Sequence, residues 1–578
     1  MPLALDTECY PNFHLICIAD KEWHTSNKYT KQQRTEIRNT MRSATTYGFN
    51  SLNYDMPIIH AALKGSSVKA LYKMSKDIID NQQPHWITYR EHNIEQFSGF
   101  DHFDIKEPAP AVMISLKMYG ARMHMPNLQD LPYDPHLELS DVQKEEIIKY
   151  CFNDIATTKA LYSAIRGRSK LRNQLTDKYS QDLRSKSDAQ IAEAIIKSEV
   201  GNVKKVKAPD YVKYTFPKFI RRTRLTAEVY DFINERKFEL KKGKITLPDD
   251  MPTVTIGKMI YKFGVGGIHS TESNQEVKPT KNQILADRDV GSYYPAIILE
   301  LGLYPDGVGK KFLKTYKSIF DQRLEAKEKA KTGDKQAALI RDGYKIALNG
   351  SYGKFGSEYS FLYSPQLLLQ TTITGQLALL QLIEALHKEN IITVSANTDG
   401  IVSLFDKDLY ESYDAICKKW EKFTGFTLEE TQYRSLHSAN VNNYVAITPQ
   451  GEVKGKGDYA QPSLMKSPRC SILAESVKAF LLNGTKISET IKNCTDLTKF
   501  IAVRQVKGGA VWKGQALGKV VRWYYSINGE AINYLSNGNK VATSDGATPI
   551  MTLPKTLPSD IDYDLYIAKA NKMLGELC

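Results

Sequence analysis

The sequence predicts a multidomain α/β protein, and three observations carry that expectation. Its 578 residues exceed what one ordinary core can hold. Short apolar runs of strand length alternate along the chain with longer runs of helical period. Several of the apolar runs lead into a carboxylate, at Asp6, Asp55, Asp289 and Asp399.

Composition narrows the class. Hydrophobic content of 42% and charged content of 25% are those of a soluble globular protein. No apolar run is long enough to span a bilayer, and Asp6 and Glu8 interrupt the region where a signal peptide needs its apolar core, so a cytoplasmic location is expected. The seven cysteines (9, 17, 151, 417, 470, 494 and 578) include no Cys-x-x-Cys pair, which argues against a zinc site or a disulfide framework. Lys and Arg outnumber Asp and Glu by 78 to 65, a net charge of +13. The excess is concentrated in Arg166 to Arg172, Lys204 to Arg224 and Lys454 to Lys466. Solvated surface would account for any one patch. Three of them, with 33 tyrosines, favour a polyanion whose bases can stack.

The first 60 residues read as strands: Leu3 to Leu5, His14 to Ala19, and Thr45 to Phe49. Asp6-Thr7-Glu8 ends the first, and residues two apart on an extended segment share a face, so Asp6 and Glu8 can share a cation. Asp55 follows Tyr47 to Tyr54. Ser140 to Gln143 has capping-box spacing and opens a helix on which Tyr150 and Asp154 lie one turn apart. Further on, Ser187 to Val200 reads as a helix, Tyr211 to Phe219 as extended, and Leu225 to Leu240 as another helix. Gly243 to Pro252 reads as a boundary. Phe263 to Ile268 is glycine-dense but lacks the Lys-Ser/Thr of a phosphate loop, so it reads as a tight bend or a close backbone approach.

Asp289 follows the run Gln283 to Ala286 and precedes a Gly-Ser pair and Pro295, the signals of a strand-to-helix corner. Two helices come next, Leu313 to Ala330 and Lys335 to Tyr352, separated at Thr332-Gly333-Asp334. The first carries Arg323 and Lys327 four apart. The second places Arg341, Lys345, Asn349 and Tyr352 along one stripe. A cationic helical hairpin after an acidic corner suits a triphosphate, although a solvated basic face would look the same. A helix from Gln366 to His387 leads to a hairpin, Ile391 to Ser395 and Ile401 to Phe405, joined by Asn397-Thr398-Asp399-Gly400. Local logic makes Asp399 the residue that such a turn prefers.

Taken together, these segments resemble known families. Asp6-x-Glu8, Asn50-x-x-x-Tyr54-Asp55 and Tyr150-x-x-x-Asp154 resemble the motifs of DEDDy 3'-5' exonucleases in order and local spacing. Asp289 to Pro295, Lys345 to Gly353 and Ala396 to Gly400 resemble the polymerase motifs of family B DNA polymerases. Val441 to Tyr444 with Lys454-Gly455, and Ile561 to Ile567, resemble that family's later patterns.

The resemblance implies a right-hand polymerase of palm, fingers and thumb, with an α+β palm and an N-terminal RNase H-like exonuclease domain. The boundaries it suggests are 1–170 exonuclease, 171–250 connecting region, 251–312 and 345–450 palm, 313–344 fingers, and 451–578 thumb. It implies template-directed addition of dNTPs to a primer 3'-end, with proofreading. Two Mg²⁺ ions per site are implied, Mn²⁺ substituting, held by Asp289, Asp399 and the Val290 carbonyl in one site and by Asp6, Glu8, Asp55 and Asp154 in the other. Tyr150 would orient the attacking water. Lys345, Arg323 and Lys327 would clamp the triphosphate, and Tyr294 would exclude a ribose 2'-hydroxyl. Asn349 and Tyr352 would line the nascent base pair, Asn50 and Tyr54 would hold a frayed primer end, and Tyr444, Lys454 and Lys456 would contact DNA.

The departures are Asn397 for the first acid of the usual Asp-Thr-Asp turn, Gly400 for its serine, and Asn442 where a lysine is usual. Asp287 adds an acid without an assigned role. The compact size suggests a monomeric bacteriophage replicative enzyme in the host cytoplasm. The intervals Asp289–Lys345 and Tyr352–Asp399, 56 and 47 residues, are short for protein-primed relatives. A nucleic-acid primer is therefore expected, with a helicase, single-strand binder or processivity factor as partners. The competing readings are an exonuclease whose polymerase half has decayed and a non-catalytic DNA-binding scaffold.

Overall fold

The computed structural model describes residues 2–111, 114–201, 203–204 and 206–577. Cys578, and Lys205 of the second basic run, lie outside the described residues. The chain forms two compact units. The first takes in the residues up to Ser187 with Pro462–Ser471 and Cys494–Leu565, and the second Asp188–Gln461, Ile472–Asn493 and the residues from Tyr566 on. Segment 451–578, expected as one thumb, thus contributes to both.

A five-stranded sheet organises the first unit, in the order Lys21–Thr25, Phe13–Ile18, Leu3–Tyr10, Thr46–Gly48, His102–Asp104. The first three strands pair antiparallel and the last two join in parallel. Phe13–Ile18 is buried along its whole length because both sheet faces are covered. On one face Ala4, Leu15 and Cys17 meet Ile147, Cys151 and Ile155 of the helix Asp141–Ala164. On the other, Leu5, Ile16 and Ile18 meet Ile37, Ile58 and Leu71. The Ser140–Gln143 capping box forms as expected. Asp6 and Glu8, expected at a strand end, lie inside the strand Leu3–Tyr10, since the hairpin to Phe13 pairs through Tyr10.

This unit also contains a long hairpin, Ala502–Trp512 with Gln515–Glu530. Arg522 on it is fully buried and donates to backbone carbonyls, those of Ile550 (2.6 Å), Met125 (2.5 Å), Pro126 (2.8 Å) and Met551 (2.7 Å). Among the described residues no carboxylate pairs with it, and burial pushes the guanidinium down to about 10.

The second unit is built on a seven-stranded antiparallel sheet, in the order Leu428–Tyr433, Gln283–Val290, Gly400–Asp406, Ile392–Asn397, Gly267–Ser270, Met259–Gly264, Val254–Ile256. The helix Pro365–Lys388 packs on it, and its Leu377, Leu380 and Ile383 join Ile268, Ala286 and Ile401 in the main core. The helical hairpin is Lys311–Lys331 and Lys335–Phe355. A third helix, Asp188–Val200, crosses the hairpin where Gly350 permits it: a Cβ there would lie 2.7 Å from the Asp188 carbonyl oxygen. The expected pair of helices is therefore backed by a third. The second hairpin helix also runs unbroken through the 344/345 boundary expected between fingers and palm.

Two expected elements are corrected. The helix expected over 225–240 is Ala227–Glu235, followed by a strand Phe238–Lys241, because Phe238 and Leu240 pair with flanking strands instead of continuing the helical stripe. The extended run over 211–219 shrinks to Tyr211–Val212.

Candidate active sites

In the first unit, Asp6 and Glu8 project from one face of the central strand and Asp154 and Tyr150 from the helix packed on it. Asp55 opens the helix Asp55–Lys64, and Thr7 donates its hydroxyl to Asp55 Oδ1 at 2.8 Å. The four acids are close enough to perturb one another. Burial raises Asp6 and Glu8 well above the carboxylate range, and the charges of Asp55 and Asp154 raise both further. Burial brings Asp55 to about 7 against the opposing bond from Thr7, and Asp154 to about 6 against Tyr150 and Lys117. Burial and then the Asp154 charge lift the Tyr150 phenol far above its ordinary value. A cluster of protonation-prone oxygens is stabilised in its ionised form by a hard divalent cation, so the donor set fits Mg²⁺.

Three residues of this site were not anticipated. Cys151 Sγ donates to Asp6 Oδ2 at 3.7 Å, and its sulfur clusters with the Asp6 and Glu8 oxygens within 4.8 Å. Lys117 pairs with Asp130 at 2.6 Å and acts on Asp154 from within a largely buried position. Asp104 accepts from the amides of Asn50 (3.0 Å), Leu52 (3.0 Å) and Lys106 (2.8 Å), and so shapes the loop that carries Asn50. Of the three, Asp104 closes a short strand, His102–Asp104, which is not an apolar run. Asn50 has a left-handed backbone at φ 63° and receives the Lys106 ammonium on Oδ1 at 2.8 Å. The Tyr54 hydroxyl is turned to Ser75 Oγ at 2.8 Å.

The second unit brings Asp289 and Asp399 together in a recess of about 260 Å³ shared with Asp287, Asn397 and Lys454. Asp289 lies within the strand Gln283–Val290, opposite Gly400 on one side and Glu429 on the other. Asp399 sits at the tip of the hairpin Ile392–Asn397/Gly400–Asp406, with Thr398 left-handed at φ 53°. The Val290 amide donates to the Asp399 carbonyl at 2.7 Å, which locks tip to strand. Both carboxylates reach solvent through the mouth of the recess, yet its walls desolvate them. Burial and then the Asp287 charge bring Asp289 to about 6, and burial raises Asp399 as well.

Asn397 donates from Nδ2 to the Val441 carbonyl at 3.2 Å and accepts from Thr398 Oγ1 at 3.0 Å. A carboxylate could not make the first of these bonds. The glycine-dense segment is the turn between Met259–Gly264 and Gly267–Ser270. A Cβ on Gly267, at φ 145°, would lie 2.7 Å from Thr398 Cα, so that turn can abut the Asp399 tip only without a side chain.

Ser292, expected as an ordinary helix start, has a left-handed backbone and makes no cap bond; its hydroxyl receives Arg323 Nη1 instead. Lys327 pairs with Glu429. Tyr294 stacks on Tyr352 with centroids 4.4 Å apart and donates to the Gly266 carbonyl. Lys345 and Asn349 are exposed on the helix that carries Tyr352. Lys456 lies over the Tyr444 ring at 5.8 Å, on paired strands. Asp287 accepts from the Tyr433 hydroxyl at 2.5 Å and from Lys454 Nζ at 3.3 Å.

No family model matches the chain. A stretch of 130 residues is 32% identical to DNA polymerase 1 of Aeropyrum pernix, covering 22% of this chain and 13% of that protein. The match therefore spans about one eighth of the relative's length. Among solved structures, the family B DNA polymerase of the hyperthermophilic archaeon Pyrobaculum calidifontis aligns over 100% of this chain and 77% of that chain, at 13% identity and a TM-score of 0.40. Among the described residues, no helix is long and apolar enough to cross a membrane.

Proposed function

We propose that the chain is a DNA polymerase of family B that extends a primer 3'-end on a template and removes mispaired ends with a 3'-5' exonuclease. The observation that carries this reading is the pairing of Asp289 with Asp399 in one recess, beside a helical hairpin carrying Arg323, Lys327 and Lys345. The partial similarity to an archaeal DNA polymerase supports it. The net charge of +13 suits a polyanionic substrate.

In this reading Asp289, Asp399 and the Val290 carbonyl would hold divalent cations. When bound, such ions lower the pKa of the primer hydroxyl and stabilise the leaving pyrophosphate. Arg323, Lys327 and Lys345 bind the triphosphate, and Lys345 delivers a proton to the departing group. Tyr294, held between Tyr352 and Gly266, presents its ring to the sugar. In the other unit, Asp6, Glu8, Asp55 and Asp154 would hold the exonuclease cations while Tyr150 orients water. The unusual Asn397 does not favour a decayed polymerase, because its amide has a structural task that the usual acid could not perform. The short intervals between Asp289 and Lys345 and between Tyr352 and Asp399 support a replicative enzyme of bacteriophage type that starts from a nucleic-acid primer.

One gel tests the reading. A labelled primer–template with Mg²⁺ and a single complementary dNTP should be extended by one nucleotide, and without dNTP it should be shortened from its 3'-end. Failure to extend under any divalent metal would refute it.

A further inference from the structure

Asp287 is the acid for which the sequence offers no role. Its side chain is 8% exposed, whereas that of its partner Lys454 is 49% exposed. The carboxylate is therefore the inner end of the pair and the ammonium the outer end. Lys454 Nζ lies 3.3 Å from Asp287 Oδ2 and 3.1 Å from the Tyr433 oxygen, and Tyr433 itself donates to Asp287 Oδ2. With a further hydrogen bond to Tyr444, these contacts hold the ammonium from the protein side, and its half-exposed outer face is the part that can meet a ligand. Lys454 lines the same recess as Asp289 and Asp399. The three residues also join two sheets. Asp287 and Tyr433 belong to the seven-stranded sheet, and Lys454 to the edge strand Val453–Lys456 of a four-stranded one.

Three carboxylates in one small recess would repel, but Asp287 spends its charge on Lys454 and so leaves cation binding to the other two. A free lysine loses much rotamer freedom when it grips a phosphate, and one already held at its tip loses less. Asn442, close by in sequence, offers no positive charge of its own.

We propose that Asp287, with Tyr433, is a positioning residue that fixes the Lys454 ammonium beside Asp289 and Asp399, where it contacts a phosphate of the bound substrate. This rests on the polymerase reading of the recess. The phosphate belongs either to the primer strand or to the incoming nucleotide, and the test separates the two.

The full chain would be compared with Asp287→Asn, Lys454→Gln and the double variant. Primer–template binding is read by fluorescence anisotropy across salt, and the nucleotide KM by single-nucleotide extension. Asp287→Asn and Lys454→Gln should each weaken one of these by about tenfold, and the double variant should be no worse than Lys454→Gln alone. If the contact is to the primer strand, DNA affinity falls and the log–log salt slope drops by about 1. If it is to the nucleotide, KM rises and the slope is unchanged. Should Asp287→Asn fail to fold, Tyr433→Phe, which removes one hold on Lys454 and keeps the ring, should move the same parameter by about threefold. The proposal is overturned if Asp287→Asn binds both substrates like wild type, or if the two single effects multiply in the double variant. Wild type that extends no primer would refute the polymerase reading and this proposal with it. Wild type that extends, beside an indifferent Asp287→Asn, would remove the positioning role alone.

Discussion

If the recess adds nucleotides as proposed, replacing Gly400 by serine should disable that addition. A Cβ built on Gly400 would lie 2.0 Å from Asp289 Oδ1 and 3.3 Å from the Arg288 carbonyl, where ordinary contact begins at 3.4 Å. The carboxylate oxygen must therefore move by about 1.4 Å, from 2.0 Å out to the 3.4 Å at which ordinary contact begins. The backbone cannot yield instead. Gly400 pairs with Asp289 in the ladder, and the neighbouring Arg288 is fixed by Asp414 at 3.0 Å and Glu430 at 2.5 Å. Swinging one carboxylate off its rotamer costs only about 0.5–1.5 kcal/mol, so Gly400→Ser should fold and melt within a few degrees of wild type. If Asp289 holds a cation as proposed, misplacing its oxygen by more than about 1 Å should lower kcat for extension by about 100-fold. The assay is single-nucleotide extension, with 3'-end degradation of single-stranded DNA by the same preparation as the control. Degradation should be unchanged, since Asp6, Glu8, Asp55 and Asp154 belong to the other unit. Extension by Gly400→Ser within about threefold of wild type would refute the geometry.

Further outcomes follow from the same physics. Folded Asp6, Glu8, Asp55 and Asp154 retain protons that the unfolded chain releases near the ordinary value of 3.8, or 4.5 for Glu8. Metal-free stability should therefore fall as pH rises from about 4 through the Asp55 value of about 7, and Mg²⁺ should restore it at pH 8. Melting in EDTA across this range should show the loss, and Asp55→Asn should flatten it; a variant that loses stability as steeply as wild type would contradict the assignment. Arg522→Met removes four hydrogen bonds to carbonyls, of which those of Pro126 and Met551 keep a backbone donor, and should cost about 2–3 kcal/mol in urea unfolding, a loss under about 1 kcal/mol being the contrary result. Glu429→Gln frees Lys327 from a solvent-exposed pair worth at most about 1 kcal/mol, so the nucleotide KM should fall by up to about fivefold. A rise in KM would show that Glu429 itself serves the substrate.

The sequence made the two carboxylate clusters legible because their logic is local. Asp6 and Glu8 alternate on a strand, Tyr150 and Asp154 are one helical turn apart, and Asp289 and Asp399 each close an apolar run. What it could not show are contacts made across long separations. Asp104 orders the Asn50 loop from 54 residues away, and Cys151 meets Asp6 across 145. Asp287 looked like a spare acid because its partner Tyr433 is 146 residues further on. Local rules also misread the helix expected over 225–240, where Phe238 and Leu240 fit a helical stripe but are drawn into strand pairing by neighbours on either side. Ser292 failed as a cap for a similar reason. Its left-handed backbone turns the hydroxyl away from the helix amides and towards Arg323.

The chain holds two carboxylate clusters in separate compact units, and the proposed function gives them opposite effects on a primer end. That assignment is tested most directly by assaying Asp289→Asn and Asp6→Asn side by side on one labelled primer–template in Mg²⁺. Asp289→Asn should lose extension by about a thousandfold, as expected when about 4 kcal/mol of transition-state stabilisation is removed, and should keep degrading the primer. Asp6→Asn should extend normally and lose degradation to the same degree. Loss of both activities in either variant, at unchanged melting temperature, would contradict the two-site account.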